Sequence, residues 1–501
     1  MICISIAQSS RRFALVDMLN AAREGDLLEV RLDCFGKAPE LGELMARKSR
    51  PVIMTCRRPQ DGGLWEGTEQ ERLAILRQCI VSKADYVEIE LDVADEIRPF
   101  PPSKRVISYT NLKETPEDIL DIYRQAQSKN PDVVKLTTLA RTPEEAWPLL
   151  QIVATASVPT VAVGLGRPGL TLALLGKKIG APWAYAALER GMEAFPGQPT
   201  LYDLEEVYRY RDIDRGTRLV GVTGFGERAY LSTAILNGLF RHFNLPARVL
   251  PVGLGDPRLF RRIAGAVKMA GILVDPDHQA TLLQAAAEAE PAATLASAAN
   301  LLLFKNDRWH AYNTFIRAAL ATIDGLLRAR GGTEAGLKNC VTALVGLNTV
   351  TRALGQAIAA RGGALIIASH DKEGAQALAQ ELGCRYVVFE GVYTTLHDVL
   401  VVCDDERAQR GSAGPSVVHP GYLKPGMTVM DLTAATGPTP LLVAAKARGC
   451  AVASPRRLLL DQLALQAHLL TSKDVTAELL EQVTPAPLRE EEGEKTMTND
   501  Q

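Results

Sequence analysis

The stretch Asp132-Val133-Val134-Lys135-Leu136-Thr137-Thr138 is a short apolar run interrupted by one lysine. Side chains alternate along an extended chain, so Val134 and Leu136 share one face while Val133, Lys135 and Thr137 share the other. In a strand covered on both sides, one of these faces turns Lys135 inward, and an inward lysine needs a reason. Desolvation lowers the pKa of an ammonium group, and a neutral amine attacks carbonyls to form a Schiff base. A salt-bridged core lysine is the structural alternative, and this stretch alone leaves both open.

Working outward, seven more short apolar segments alternate with longer helical ones. The full set runs Ile2 to Ala7, Leu27 to Asp33, Val52 to Arg57, Tyr86 to Asp92, Arg105 to Thr110, Val133 to Thr138, Thr160 to Leu165 and Trp183 to Leu188. Eight strand-then-helix units in so short a span predict a (β/α)8 TIM barrel. An open doubly wound sheet is the alternative, but it needs a topological switch point that nothing here marks.

The same alternation places charges on the barrel axis. Glu29, Arg31 and Asp33 share a face, as do Glu88, Glu90 and Asp92, and Arg57 follows Ile53 and Thr55. A barrel built only for stability fills its interior with branched aliphatic residues. Charges on several strands point instead to an active site, with ion pairs plugging the barrel end as the alternative.

The chain has 501 residues, enough for two to four domains. Its formal net charge of -2 gives no basic field for nucleic acid or an anionic membrane. The eight cysteines are scattered without a C-x-x-C pair, which fits a reducing cytoplasm and argues against zinc. No run of 18 apolar residues is present to span a bilayer, and the apolar start is too short for a signal peptide. The expectation is a cytoplasmic protein whose partner is a small molecule, with no nucleic acid and no membrane. The oligomeric state is not readable from the sequence.

An ordered set of motifs carries a resemblance. Glu29-Val-Arg31-Leu-Asp33, Thr55-Cys-Arg57 with Asp61-Gly-Gly63, Glu88-Ile-Glu90, Ser108-Tyr-Thr110-Asn with Thr115-Pro116, Asp132-Val-Val-Lys135 and Phe195-Pro-Gly-Gln198 resemble type I 3-dehydroquinate dehydratase over roughly residues 1 to 205. The resemblance implies that Lys135 forms an imine with the substrate ketone and that Glu90 orients a proton-transferring histidine. It further implies that Glu29, Arg31, Arg57 and Gln198 contact a cyclic hydroxy-keto acid, with no cofactor required. Two departures stand out. Thr110 occupies the histidine position, and the first histidine of the chain is His242. Leu172-Ala173 replaces the carboxylate-binding Ser-Arg pair, leaving Arg167 in the same Gly-rich segment as a substitute. Loss of a positioned acid-base group costs roughly 10² to 10⁴ in rate, so weak dehydratase chemistry is expected.

From Leu219-Val-Gly-Val-Thr-Gly224 a new α/β pattern starts. Apolar segments at 248–252, 271–274 and 300–304 precede a long helix over 312–328, and strands at 341–345, 364–368, 385–389, 399–403 and 428–432 predict a Rossmann-like lobe. Gly221-Val-Thr-Gly224, Asn237, Ala298-Ala-Asn300, Tyr312-Asn313-Thr314, Val345-Gly346, Asp431, Thr439-Pro-Leu-Leu442 and Gln462 resemble shikimate dehydrogenase over about residues 216 to 475. The order of the two halves resembles the fused plant-type enzyme. The resemblance implies Ser232 and Asn300 as substrate contacts, Gly346 as a cofactor contact and NADP as the cofactor. Against these stand Tyr230 and Gln279 in place of a serine and the catalytic lysine, Phe315 in place of an aspartate, and Leu347-Asn348-Thr349 where glycines should follow Gly346. Ser369-His370-Asp371 replaces the Asn-Arg-Thr whose arginine takes the 2′-phosphate. Dehydrogenase activity is therefore not expected.

The expected domains are the barrel at 1–205, a substrate lobe at 216–325, a Rossmann-like lobe at 326–480 and a disordered acidic tail at 485–501, with a polar Gly/Ser loop at 407–415. The seven histidines show no metal-ligand spacing. Three functions remain in play: a fused protein with slow Schiff-base dehydratase chemistry and an inactive dehydrogenase half, a non-catalytic binding or assembly protein, and an imine-forming lyase or aldolase using Glu90 or Tyr109 as its base.

Overall fold

The computed structural model describes residues 1–37, 39–330, 336–403, 418–433 and 437–489. The 407–415 loop and the part of the acidic tail from residue 490 onward lie outside these; Ala486–Leu488 forms a single 3-10 turn. The chain divides into two compact units: Met1–Phe225 with Phe240–Met269, and Gly226–Leu239 with Ala270 onward. Among the described residues no helix is long and apolar enough to cross a membrane.

The first eight strands are β1 (Ile2–Ile6), β2 (Leu27–Arg31), β3 (Val52–Thr55), β4 (Tyr86–Glu90), β5 (Lys104–Asn111), β6 (Val133–Leu139), β7 (Thr160–Leu165) and β8 (Ala184–Ala186). All pair in parallel, and β1 bonds β2 on one side and β8 on the other. A sheet whose first strand has come round to meet its last is a barrel, and among the described residues only the β7–β8 seam lies outside the hydrogen-bonded ladder. The helices between them are α1 (Arg11–Glu24), α2 (Leu41–Arg47), α3 (Glu69–Val81), α4 (Ile119–Ser128), α5 (Pro143–Thr155) and α6 (Arg167–Ile179).

Inward positions follow the expected period of two. Cys3, Leu27, Ile53, Val106, Val133, Val161, Trp183 and Tyr185 pack into one apolar cluster inside the barrel. One pleat further along the strands the inward positions turn polar, at Ser5, Glu29, Glu88, Ser108 and Lys135. The apolar plug closes the N-terminal end, and the polar layer faces the C-terminal end where such barrels carry their chemistry. Four strands stop two residues earlier than the sequence suggests, β8 at Ala186 and three others. Leu32–Cys34 and Leu91–Glu96 are 3-10 turns, and β3 ends at Thr55. Asp33, Asp92 and Arg57 therefore leave the strands and sit at the rim.

The second six-stranded sheet comprises β9 (Arg218–Thr223), β10 (Ala247–Val252), β11 (Met269–Leu273), β12 (Glu288–Ala289), β13 (Leu301–Lys305) and β14 (Arg308–Tyr312), in the order β10-β9-β11-β13-β14-β12. Its helices are α7 (Glu227–His242), α8 (Pro257–Ala266), α9 (Gln279–Ala285) and α10 (Pro291–Ala296), and α11 (Phe315–Ala329) follows β14. The long helix expected from residue 312 starts at Phe315 because Tyr312 ends β14. The β13–β14 hairpin turns on Asn306-Asp307, both at positive φ (50° and 60°), the two-residue geometry that suits the twist of the strands.

The last sheet is wholly parallel, in the order β17-β16-β15-β18-β19-β20. Its strands are β15 (Val341–Val345), β16 (Ala364–Ser369), β17 (Arg385–Val388), β18 (Val399–Val402), β19 (Thr428–Asp431) and β20 (Ala451–Val452). Counted from β15 this is 3-2-1-4-5-6, the Rossmann order, with its switch point beside β15. The helices are α12 (Thr349–Ala360), α13 (Lys372–Leu382), α14 (Pro440–Ala447), α15 (Pro455–Thr471) and α16 (Ala477–Val483).

Candidate active site

Lys135 lies on β6, in register with Ser108 of β5 and Val161 of β7. Val134 and Leu136 are fully buried on the outer face, and Lys135 is 3% exposed on the inner one. Its Nζ donates to Glu29 Oε1 at 3.0 Å and to Glu88 Oε2 at 2.8 Å, and stands 4.5 Å from the centre of the Tyr185 ring. Arg57 Nη2 reaches the same two carboxylates at 3.4 Å each. Two acids and two cations thus form a neutral cluster shut away from solvent, the arrangement that makes buried charge tolerable.

Behind Glu29 a hydrogen-bond chain crosses the barrel. Ser5 Oγ donates to Glu29 Oε2 at 2.8 Å. Gln198 Nε2 donates to Ser5 Oγ at 3.2 Å, while its Oε1 accepts from Ala194 N at 2.7 Å. Burial by itself would raise the Glu29 pKa, but Lys135, Arg57 and Arg31 outweigh it and hold the carboxyl at about 2. Glu29 is therefore an anion at any ordinary pH, serving to position its neighbours.

The remaining expected residues are held elsewhere. Arg31 forms a bidentate pair with Asp33, Nε to Oδ1 at 2.9 Å and Nη2 to Oδ2 at 2.6 Å. Glu90 shares both oxygens with Arg72 Nη1, at 2.9 and 2.8 Å. Arg72 comes from the first turn of α3, where the Thr68–Glu71 capping box fixes the helix start, and it also donates to Cys56 O at 2.7 Å. Burial pushes the Glu90 carboxyl up to about 7, against the pull of Arg72. Glu90 is thus an acid–base group near neutrality, engaged by α3 rather than by Lys135.

Thr110 is inward, paired in register with Thr137, two residues beyond Ser108. Tyr109 pairs with Leu136 and so projects from the outer face. This corrects its candidacy as the base, because strand alternation turns its hydroxyl away from Lys135. The segment expected as a Gly-rich loop around Arg167 is the start of α6. Arg167 is exposed there, while Leu172 and Ala173 line a small apolar cavity at the β7–β8 seam with Val163, Tyr185 and Phe195.

Sequence reading passed over Glu88 as a site residue and missed Arg72 altogether. Glu88 carried a signal in its inward phase, whereas Arg72 sits on a helix and shows none. Gly63 is a third contributor. A Cβ there would meet Arg57 O at 1.9 Å, so only glycine lets this turn close over Arg57.

In the second unit, Ser232 lies buried on α7 and Asn300 is fully buried before β13. Asn300 Oδ1 accepts from Thr314 N at 3.0 Å and from Thr314 Oγ1 at 3.2 Å. Gln279 Nε2 donates to Val274 O at 3.4 Å, and Phe315 opens α11. At the Rossmann switch point Gly346 keeps a positive φ of 97°. The next turn is already satisfied by the chain: Asn348 Oδ1 accepts from Thr351 N at 2.9 Å, Asn348 Nδ2 donates to Cys403 O at 2.8 Å, and Thr351 Oγ1 donates to Gly346 O at 2.9 Å. At the end of β16 His370 stacks on Phe389 with ring centres 4.0 Å apart, and Asp371 caps α13 by accepting from Gly374 N at 3.0 Å.

Comparisons with known proteins bear on both units. The family profile described as Type I 3-dehydroquinase matches residues 2–215. The bifunctional 3-dehydroquinate dehydratase/shikimate dehydrogenase, chloroplastic, of Arabidopsis thaliana is 26% identical over 403 residues, covering 76% of this chain and 67% of the relative. The 3-dehydroquinate dehydratase of Methanopyrus kandleri is 35% identical over 196 residues, covering 38% of this chain and 89% of the relative. Among solved structures, shikimate dehydrogenase from Aquifex aeolicus aligns with a TM-score of 0.47 at 24% identity, over 54% of this chain and 98% of that one. The dehydroquinate dehydratase and shikimate dehydrogenase of S. pombe AroM align with a TM-score of 0.43 at 16% identity, over 96% and 98%.

Proposed function

The chain belongs, through residues 2–215, to the type I 3-dehydroquinase family, with the two-part order of the fused dehydratase/shikimate dehydrogenase, and on that premise we propose that its barrel captures 3-dehydroquinate as an imine on Lys135. The observation that carries the reading is the Lys135 amine held inside the barrel by Glu29 and Glu88. Attack on the ketone requires Nζ to leave one carboxylate and give up its protons. The carbinolamine then loses its oxygen as water to leave the imine. Glu29, pinned as an anion, keeps Lys135 on the axis, and Glu88 offers the nearer oxygen at 2.8 Å. Arg57 and Gln198, at the rim and beside Ser5, are placed to meet the carboxylate and hydroxyls of the ring, while Arg31 acts through Asp33.

Dehydration further requires a proton to be taken from the carbon beside the imine and hydroxide to leave as water. The first half supplies no histidine for this, and Glu90 is tied to Arg72, so turnover is slow. Borohydride reduction in the presence of 3-dehydroquinate, followed by peptide mass spectrometry, tests the proposal. The expected result is the reduced adduct on Lys135. Absence of the adduct at millimolar ketone would replace this reading with that of a binding or assembly protein, which the double clamp on Nζ also suits; an adduct formed only with other ketones would point to a different imine-forming lyase or aldolase.

The second half works, in this proposal, as a substrate lobe at 216–325 and a Rossmann-like lobe at 326–480, after a barrel at 1–205. A relative's structure is named as a complex with NADP+, and Gly346 retains the turn such a cofactor needs. The residues after it do not suit a pyrophosphate: Leu347 stands where a glycine would let the backbone approach the ligand, and the Asn348 side chain takes one N-terminal donor of α12, Thr351 N, for its own cap. Asp371 offers a carboxylate where a 2′-phosphate needs a cation. With Gln279 and Phe315 at the substrate positions, this half does not oxidise shikimate. Titration of the full chain with NADPH checks this, and micromolar affinity with shikimate-dependent reduction would overturn it.

A further inference from the structure

The ion pairs about the barrel axis leave no cation over. Lys135 and Arg57 are matched by Glu29 and Glu88, with Arg57 Nη2 at 3.4 Å from each acid. Around this centre Arg31 is held by Asp33, Arg58 by Asp61 and Asp92, and Arg72 by Glu69 and Glu90. Every arginine of the network therefore has an acid of its own. A substrate carboxylate brought to Arg57 meets it only in competition with Glu29 and Glu88.

The seam between β7 and β8, which borders the amine, is apolar. Val161 is in register with Lys135 and Val163 with Thr137, and both line a cavity of about 30 Å³ together with Tyr185, Leu172 and Ala173. Tyr185 also places its ring 4.5 Å from Lys135 Nζ. Among the described residues no charged side chain lines this cavity, and its polar side-chain atoms are the Trp183 indole nitrogen and the Tyr185 hydroxyl. Burial, reinforced by Glu29, holds that phenol well above its ordinary pKa, so both groups are uncharged hydrogen-bond donors. The cavity has room for one small uncharged group and nothing to balance a charged one.

Imine formation sets the charge that such a site tolerates. The Lys135 ammonium and an uncharged ketone give an iminium ion and water: the C=N bond forms, and the carbonyl oxygen leaves as water with two of the nitrogen's protons. The cluster of Lys135, Arg57, Glu29 and Glu88 is neutral before this step and neutral after it. A keto acid makes and breaks the same bonds but leaves the enclosed cluster with one anion in excess, which is costly where water is shut out. We propose that the barrel has a further activity, the reversible capture of uncharged ketones as imines on Lys135, and that it takes them in preference to keto acids, 3-dehydroquinate among them. That preference presupposes Lys135 as the imine former and adds the charge class of its carbonyl compound.

The test is reductive trapping of the full chain with cyanoborohydride, read as modified Lys135 by peptide mass spectrometry. Two concentration series are compared, one of 3-dehydroquinate and one of its carboxamide, which has the same shape and no charge. The carboxamide is expected to reach half-maximal trapping at a concentration at least about 10-fold lower than the acid. Ala173→Arg sets a cation in the cavity wall and should lower the half-maximal concentration of the acid by about 10-fold, with no gain for the carboxamide. Equal trapping by the two compounds, or a preference for the acid, overturns the proposed preference and leaves the imine reading in place. No modification of Lys135 by either compound overturns the imine reading itself. Should Ala173→Arg fold poorly, the two series on the unaltered protein decide.

Discussion

Lys135 Nζ and Glu88 Oε2 lie 2.8 Å apart across the barrel axis, on strands separated by β5 and by 47 residues of sequence. Neither side chain is more than 4% exposed, so each is the other's substitute for water. Glu88→Gln should destabilise the protein by about 3 to 5 kcal/mol in urea denaturation, because it leaves two cations facing one anion. Lys135→Met alone should cost a similar amount. The double variant should cost clearly less than the sum, and strict additivity would show that the pair is not coupled.

Two buried carboxyls of the same barrel should respond to pH with opposite sign. Glu29 titrates at about 2 when folded and near the ordinary glutamate value when unfolded. Its contribution is complete above the unfolded value and is lost as pH falls towards 2, by at most about 3 kcal/mol. Glu90, raised to about 7, binds its proton more tightly when folded. It therefore favours the folded state below the ordinary glutamate value, and that advantage is lost as pH rises to 7, again by at most about 3 kcal/mol. Stability curves of Glu29→Gln and Glu90→Gln should each flatten in their own window and in no other.

Thr110 faces the barrel interior beyond Ser108, beside the row that contains Lys135. Thr110→His should place an imidazole where proton transfer to the bound imine is short of a carrier. Turnover of 3-dehydroquinate should rise by about 10²-fold or more in a spectrophotometric assay of the enone product. No rise, with adduct formation intact, would locate the deficit at the apolar wall made by Leu172 and Ala173.

Gly63→Ala tests the turn over Arg57. Because a Cβ would meet Arg57 O at 1.9 Å, the backbone has to shift, at a cost of about 1 to 3 kcal/mol. Arg57 moves with it, so adduct formation at Lys135 should slow even where the protein remains folded. Unchanged stability would mean that the turn has room the structure does not display.

Much of the barrel was legible in the chain because strands have a strict period of two. Alternation alone put Lys135, Glu29 and Glu88 on one face, and it also placed Tyr109 on the other, a consequence that the search for a base passed over. The Asn306-Asp307 hairpin likewise carried a local signal, which the long helical reading from Tyr312 hid. Which acid meets which base was decided only by tertiary structure. The stagger of β2, β4 and β6 brings Glu29 and Glu88 to the amine, while Arg72 reaches in from a helix to take Glu90. Strand ends were decided there too, since Asp33 turns back onto Arg31 only where parallel pairing stops. Periodicity is a property of a segment and is written in the sequence; register between strands and the reach of a side chain from another element arise only when the segments pack.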